Sequence, residues 1–176
     1  MKLKTVFFAA AVAVASLPAQ AATYSFSQGG FDGGASVTGN FSGVDLNSNG
    51  FLDYNSGEIS SFNLSFSGGT IVPAFSLGLN DLAGLVYQLN GTNFIGDNGV
   101  FNTGEGIVAL GATYSYFSGI GPLGVTGGQI VDASFNPLTS TTSLVSVTAV
   151  PEPESFAMML AGLGLIGLMV RRRLVS

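Results

Sequence analysis

The strongest constraint on the fold is a series of short segments in which apolar and polar residues alternate, separated by turns rich in glycine. The segment from Glu58 to Ser67 shows it most clearly, because Phe62, Leu64 and Phe66 alternate with serine and asparagine. A period of two is typical of a strand with one buried and one solvated face. About eight to ten such segments, with no amphipathic helix, predict an all-β ectodomain built as an antiparallel β-sandwich or jelly roll. A β-solenoid is the alternative, although the sequence has no fixed repeat period.

The N-terminus has the three parts of a secretory signal peptide. Lys2 and Lys4 form a basic region, residues 6–14 are apolar, and Ala19 and Ala21 frame a small-residue cleavage site for signal peptidase. The sequence therefore predicts a signal peptide over residues 1–21, a β-rich ectodomain over residues 22–149 and a C-terminal tail over residues 150–176.

The tail combines a proline-rich spacer, an apolar segment and a basic end. Pro151, Glu152 and Pro153 come first, and the prolines favour extended backbone. The uncharged segment over residues 155–170 predicts one transmembrane helix, roughly 24 Å long against a hydrocarbon core of about 30 Å. The basic end consists of Arg171, Arg172 and Arg173. Arginines favour the cytoplasmic side, which places the ectodomain outside the cell. The order of the three parts favours a sorting signal; a plain one-helix anchor is the alternative.

In their order and spacing, the three parts of the tail resemble the PEP-CTERM sorting tail of bacterial surface proteins. The same tail is also catalogued as an ice-binding protein C-terminal domain. The resemblance implies export, anchoring of an intermediate in the inner membrane, and recognition by exosortase with cleavage near Pro151. It also implies a final location at the cell surface or outside the cell, in an exopolysaccharide or biofilm context.

Charge and composition exclude several classes of function for the ectodomain. Lys, Arg and His are absent between Ala22 and Val150, whereas eight acids lie there, which gives a formal charge of −8. Binding to nucleic acid or anionic lipid needs cations that this segment lacks. Catalysis by Ser-His-Asp, Ser-Lys or Cys nucleophiles is also excluded, because His, Lys and Cys are absent. We therefore predict that the protein is not an enzyme; a glycosidase that uses two carboxylates is the catalytic alternative.

One segment of the ectodomain resembles the start of an EF-hand or dockerin calcium loop. Its oxygen ligands would be Asp45, Asn47, Asn49, Asp53 and Glu58, with Gly50 at the sixth position for the tight turn. The twelfth position is Ser56, and Glu58 comes two residues late. A turn rich in Asn, Asp and Gly between two strands is the alternative interpretation, so the sequence predicts either a calcium site or a β-turn here.

The composition is typical of a structural or adhesive protein of the surface or matrix, with extracellular polysaccharide as a candidate partner. The alternative is a calcium-dependent carbohydrate-binding module, in which exposed Tyr114 or Tyr116 would contact sugar. Otherwise, these tyrosines pack against the sheet. Both tyrosines lie in the segment Ile107–Phe117, which is predicted as one strand. Ice binding would need a regular threonine array, and Thr139, Thr141 and Thr142 do not form one.

Overall fold

The structure is a computed structural model that describes residues 21–96, 104–119, 127–151 and 162–164. Several predictions fall on other residues: the signal peptide with Ala19, Glu152 and Pro153 of the tail, most of the transmembrane segment, and the basic end. They lie outside the described residues. Within the described ranges, no helix has the length and apolar character needed to cross a membrane.

The described residues form twelve strands joined by turns and three short 3₁₀ segments. In chain order the strands are β1 (Ala22–Gln28), β2 (Val37–Gly43), β3 (Phe51–Asp53), β4 (Ile59–Phe66), β5 (Phe75–Gly78), β6 (Leu82–Gln88), β7 (Phe94–Ile95), β8 (Gly106–Leu110), β9 (Tyr114–Gly119), β10 (Gly128–Asp132), β11 (Pro137–Thr141) and β12 (Val145–Val150). The number exceeds the predicted eight to ten in part because β3, of three residues, lies in a segment predicted as a turn or calcium site. In addition, one predicted strand divides into β8 and β9.

The strands form two sheets of six, and every pairing is antiparallel. Sheet 1 has the order β5-β4-β2-β1-β12-β7, and sheet 2 has the order β11-β10-β9-β8-β6-β3. The predicted all-β architecture with two antiparallel sheets is therefore confirmed. The alternation in β4 is confirmed as well, since Phe62, Leu64 and Phe66 are buried while the residues between them are exposed.

The predicted single strand Ile107–Phe117 is wrong. The chain forms β8, turns at residues 111–113 and returns as β9, with Ile107 paired to Ser118 and Leu110 paired to Ser115. Gly111 permits this turn, because a Cβ there would lie 2.5 Å from the carbonyl oxygen of Tyr114. Pattern alone missed the break, because Gly111 is the only strong turn former between the two arms.

The core lies between the two sheets and is rich in aromatic rings. Tyr24 of β1 stacks on Phe41 of β2 with ring centroids 5.2 Å apart, and its edge meets Tyr87 of β6 at the same distance. Phe26 stacks on Phe62 at 5.9 Å. Each buried aromatic side chain contributes about 1.5–3 kcal/mol through removal of apolar surface from water. Because the sequence has no cysteine, no disulfide supplements this packing.

The strands of the two sheets cross one another. The start of β9 contacts one edge of sheet 1, since Tyr114 packs on Phe75 of β5 with ring centroids 5.3 Å apart. The end of β9 reaches the opposite edge, where a Cβ on Gly96, just after β7, would lie 2.6 Å from the Cα of Gly119. One strand of sheet 2 thus spans the width of sheet 1, as in sandwiches with orthogonal packing.

The outer face of sheet 1 carries serine, threonine and asparagine in register across five strands. We call it the polar face. Its members are Thr23, Ser25, Ser27, Thr38, Asn40, Ser42, Ser61, Asn63, Ser65, Ser76, Ser146 and Thr148. No residue of these five strands carries a charged side chain. The polar face is therefore an uncharged, hydrogen-bonding surface on a strongly acidic domain.

Candidate functional site

The two ends of the ectodomain lie side by side at one end of sheet 1. β1 begins at Ala22 and β12 ends at Val150, the two strands are neighbours, and Thr23 pairs with Val150. Val150 is 42 % exposed and Pro151 is exposed too. The predicted signal cleavage after Ala21 and the start of the tail therefore fall at the same end of the domain.

The segment Asp45–Glu58 forms a loop closed by its own side chains. The carboxylate of Asp45 accepts hydrogen bonds from the amides of Asn49 at 3.1 Å and Gly50 at 2.9 Å. The side-chain oxygen of Asn47 accepts from the same Asn49 amide at 3.0 Å. The side-chain oxygen of Asn49 in turn accepts from the Phe51 amide at 2.8 Å. The hydrogen bonds to Asn47 and Asn49 are Asx turns, in which the side chain accepts from the amide two residues on. The Asp45 carboxylate closes the wider loop around them.

Glu58 is the buried anchor of this loop. Its side chain is 3 % exposed, and its carboxylate accepts from the amides of Leu46 at 3.1 Å, Asn47 at 3.4 Å and Asp53 at 2.9 Å. Three backbone donors satisfy a carboxylate that would otherwise be costly to bury. Glu58 thus ties the start of the loop to its end.

The five predicted calcium ligands do not share one set of contacts. The side chains of Asp45 and Asn47 both accept a hydrogen bond from the amide of Asn49. The carboxylate of Glu58 accepts from the nearby amides of Leu46 and Asn47. Asp53 instead caps the following turn, accepting from Asn55 at 2.8 Å and Ser56 at 3.1 Å. Among the described residues, no three His, Cys, Asp or Glu side chains lie close enough together to bind a metal ion. Calcium binding by a mixed set of carboxylate and asparagine oxygens stays a prediction.

The two tyrosines proposed for sugar contact have different environments. Tyr116 is fully buried, so it packs within the sheets and is not available for sugar contact; its hydroxyl donates to Oε1 of Gln28 at 2.6 Å. Burial raises the pKa of Tyr116 well above its usual value. Tyr114 is half-buried and lines a pocket of about 220 Å³ at the β5 edge of sheet 1. We call this the edge pocket; it is formed by Phe75, Ser76, Leu77, Asp81, Tyr114 and the turn 111–113.

The polar face was not predicted from the sequence as a site. Side chains pair across its strands: Thr23 Oγ1 and Ser42 Oγ lie 2.9 Å apart, and Ser65 Oγ and Ser76 Oγ also lie 2.9 Å apart. Asn63 Nδ2 donates to Asn40 Oδ1 at 2.6 Å. Polar residues at alternate positions of each strand were a visible signal. Which of them would line up depended on strand order and register.

Comparison with known proteins identifies the tail. Residues 149–173 match the family model of the PEP-CTERM protein-sorting motif. No curated protein and no solved structure matches the chain. The resemblance inferred from the sequence is therefore confirmed for the tail. The motif implies an exported protein that exosortase processes and that is sorted to the cell surface via the membrane.

Proposed function

We propose that this exosortase-sorted surface protein is a structural or adhesive component of the cell surface or extracellular matrix. The observation that supports the proposal is the position of the tail, which leaves the ectodomain directly after β12, at the exposed end of a strand that pairs with β1. Cutting the chain near Pro151 would leave all twelve strands in place. The tail can therefore be removed without dismantling the domain that it delivers.

In this proposal the tail is a sorting signal that is removed after export. Signal peptidase releases the N-terminus after Ala21, the C-terminal helix holds the intermediate in the inner membrane, and exosortase then acts near Pro151. Because the two processed ends are neighbours, the ectodomain stands on the membrane by one end of sheet 1 until it is released. We assign it no catalysis.

The test is the intact mass of the protein recovered from the cell surface or the medium. We expect the mass of a chain that begins at Ala22 and ends near Val150, with or without an added group. Substitution of Pro151 and Pro153 by alanine should cause the unprocessed tail to be retained. Pro137→Ala, in the ectodomain, is the matched control and should be processed normally. A wild-type mass that still includes Arg171–Ser176 would show that the tail is a lasting anchor and would refute the proposal.

A calcium-dependent carbohydrate-binding function is the second candidate. One observation favours it: Asp45 Oδ1 and Asn47 Oδ1 accept from the same Asn49 amide, at 3.1 and 3.0 Å. Two of the predicted ligand oxygens therefore lie close together, as a shared cation would require. Loss of sugar binding on calcium removal would favour this function over a purely structural role.

A further inference from the structure

The polar face and the edge pocket are continuous. One row of the polar face runs across five strands through side chains that are paired in register: Ser146, Ser27, Thr38, Ser65 and Ser76. Ser76, the last of them, also lines the edge pocket. A ligand that lies along this row would therefore reach the pocket without leaving the surface.

The chemistry of the row matches that of a sugar polymer. Hydroxyl groups both donate and accept hydrogen bonds, and sugars present the same group at regular intervals. Neighbouring strands lie about 4.8 Å apart, and outward residues on one strand repeat every 6.5–7 Å or so. The Ser65–Ser76 hydroxyl pair at 2.9 Å shows that groups in the row are near enough to bridge one ligand oxygen together.

The edge pocket supplies the groups that usually orient a sugar ring. Phe75 and Tyr114 present two tilted aromatic rings, 5.3 Å apart at 34°, and both are half-buried. Asp81 lies beside them, with Oδ2 accepting from the Gly78 amide at 2.8 Å. A concave site with apolar rings and a few polar groups is the usual form of a small-molecule pocket. Its volume of about 220 Å³ is below the roughly 300–1,000 Å³ of pockets for drug-sized ligands, so it has room for one ring and not for a longer segment.

Charge selects the kind of polymer. The ectodomain has no cationic side chain, so an anionic polysaccharide would be repelled by its acids. None of the described acids lies on a strand of the polar face. Asp32 lies in the β1–β2 turn, Asp81 lies in the edge pocket, and the others lie in the β2–β4 connection or in or beside sheet 2. A neutral polymer could cover the polar face without removing a charge from water, which is the costly step in burying polar surface.

We propose that the row from Ser146 to Ser76 and the edge pocket together form a binding site for a neutral polysaccharide. The proposal rests on the proposed function, since it names the matrix component that the ectodomain would hold. In this proposal the polysaccharide lies along the row of hydroxyl groups, and one of its sugar units occupies the edge pocket. The domain that is delivered by the tail would then attach to the matrix through sheet 1.

The test uses the processed protein recovered from the cells. Binding isotherms are measured with microcrystalline cellulose, dextran and galactomannan as neutral probes and with alginate as the anionic probe. We expect binding to at least one neutral polymer and none to alginate. Thr38→Val and Ser76→Val each remove one hydroxyl from exposed strand positions. Each should weaken binding roughly three- to tenfold, the effect of one lost hydrogen bond, with an unchanged melting temperature.

Ser140→Val is the matched control, because Ser140 is also an exposed strand serine but lies on β11 of sheet 2. It should leave the affinity unchanged. Absence of binding to all three neutral polymers, or equal losses in the control and the row variants, would overturn the proposal. So would ice-growth inhibition or self-association that the row variants abolish in the absence of polysaccharide binding. None of these outcomes bears on the mass of the processed chain, so the proposed delivery is tested separately.

Discussion

Tyr116 shows how a polar group is accommodated in the core of this protein. Its hydroxyl bonds to Gln28 Oε1 at 2.6 Å, and Gln28 Nε2 donates to the carbonyl oxygen of Ser143 at 2.7 Å. These two hydrogen bonds link β9 of sheet 2 to β1 of sheet 1 and to Ser143, two residues before β12. Buried polar groups that are satisfied in this way specify one packing of the sheets.

Tyr116→Phe should lower the free energy of unfolding by about 1–3 kcal/mol, because it leaves a buried Gln28 oxygen without its donor. Urea denaturation measures the loss, and Tyr114→Phe on the half-buried start of the same strand is the control. An equal effect in the two variants would contradict the role given to the hydroxyl.

The same residue predicts an alkaline limit to stability. Burial raises the pKa of Tyr116 above that of an unfolded tyrosine, about 10. The stabilisation is therefore complete below pH 10 and is lost as the pH rises above it, because only the unfolded chain ionises readily. In melting curves between pH 8 and 11, Tyr116→Phe should lose less stability than the wild type. Burial also raises the pKa of Tyr24 and Tyr87, so the variant should reduce the slope without removing it.

The Asp45–Glu58 loop is a connecting segment that is ordered by its own hydrogen bonds. It links β2 to β4 around the short strand β3, whose residues pair with β6 of the other sheet. The buried carboxylate of Glu58 joins the two halves of the loop, because it accepts hydrogen bonds from the amides of Leu46 and Asp53. The loop thus passes the chain from sheet 1 to sheet 2 and back.

The loop allows a direct test of calcium binding. If the site exists, calcium at ten times its dissociation constant should stabilise the protein by about 1.4 kcal/mol, with millimolar concentrations expected for an extracellular site. Melting curves in calcium chloride are compared with sodium chloride of equal ionic strength. Asp45→Asn should abolish the difference, whereas Asp132→Asn in the β10–β11 turn should not. Identical curves for the two salts would remove the calcium prediction and leave the turn.

The packing of strand β2 between β1 and β4 requires a glycine, Gly39, at the centre of the strand. A Cβ on Gly39 would overlap the carbonyl oxygen of Asn63 on β4 and the ring of Phe26 on β1. The glycine therefore makes room for Phe26, which stacks on Phe62 across β2.

Gly39→Ala should destabilise the protein by roughly 1–3 kcal/mol, the usual cost of overpacking. Gly29→Ala is the matched control, because no atom lies within 4 Å of a Cβ built there. Chemical denaturation of both variants measures the difference. Equal stabilities would mean that β2 can shift to accept the methyl group.

At the scale of the whole molecule, the ectodomain has a charge of one sign. With eight acids and no basic side chain between Ala22 and Val150, its side chains repel one another and form no ion pairs. The described acids are held by amides instead, as for Asp132, which accepts from Ser134 and Asn136 at 2.8 and 2.9 Å. Those hydrogen bonds, the side-chain amide of Asn136 first, lower the pKa of Asp132.

Salt should therefore stabilise the domain. Raising ionic strength from 0.01 to 0.15 M shortens the screening distance from about 30 to 8 Å, which weakens repulsion and has no ion pair to weaken. We expect the melting temperature to rise by roughly 2–5 °C, or about 0.5–1 kcal/mol. A fall in melting temperature over this range would show that attractive charge interactions dominate.

The sequence by itself determined the type of secondary structure and the sorting of the protein to the cell surface. Both are local properties: the alternation in β4 depends on neighbouring residues, and the tail from Pro151 to Arg173 is read as a linear segment. The residues of the calcium-like loop were also visible, as was the absence of cations that limits the ligands.

The tertiary structure alone decided how those segments meet. Strand order placed Val150 beside Thr23, and register placed Ser27, Thr38 and Ser76 in one row. It also buried Tyr116 and left Tyr114 in the edge pocket, although the two tyrosines are only two residues apart. These arrangements depend on contacts between residues far apart in the chain, where the fit of two crossing sheets outweighs any local preference.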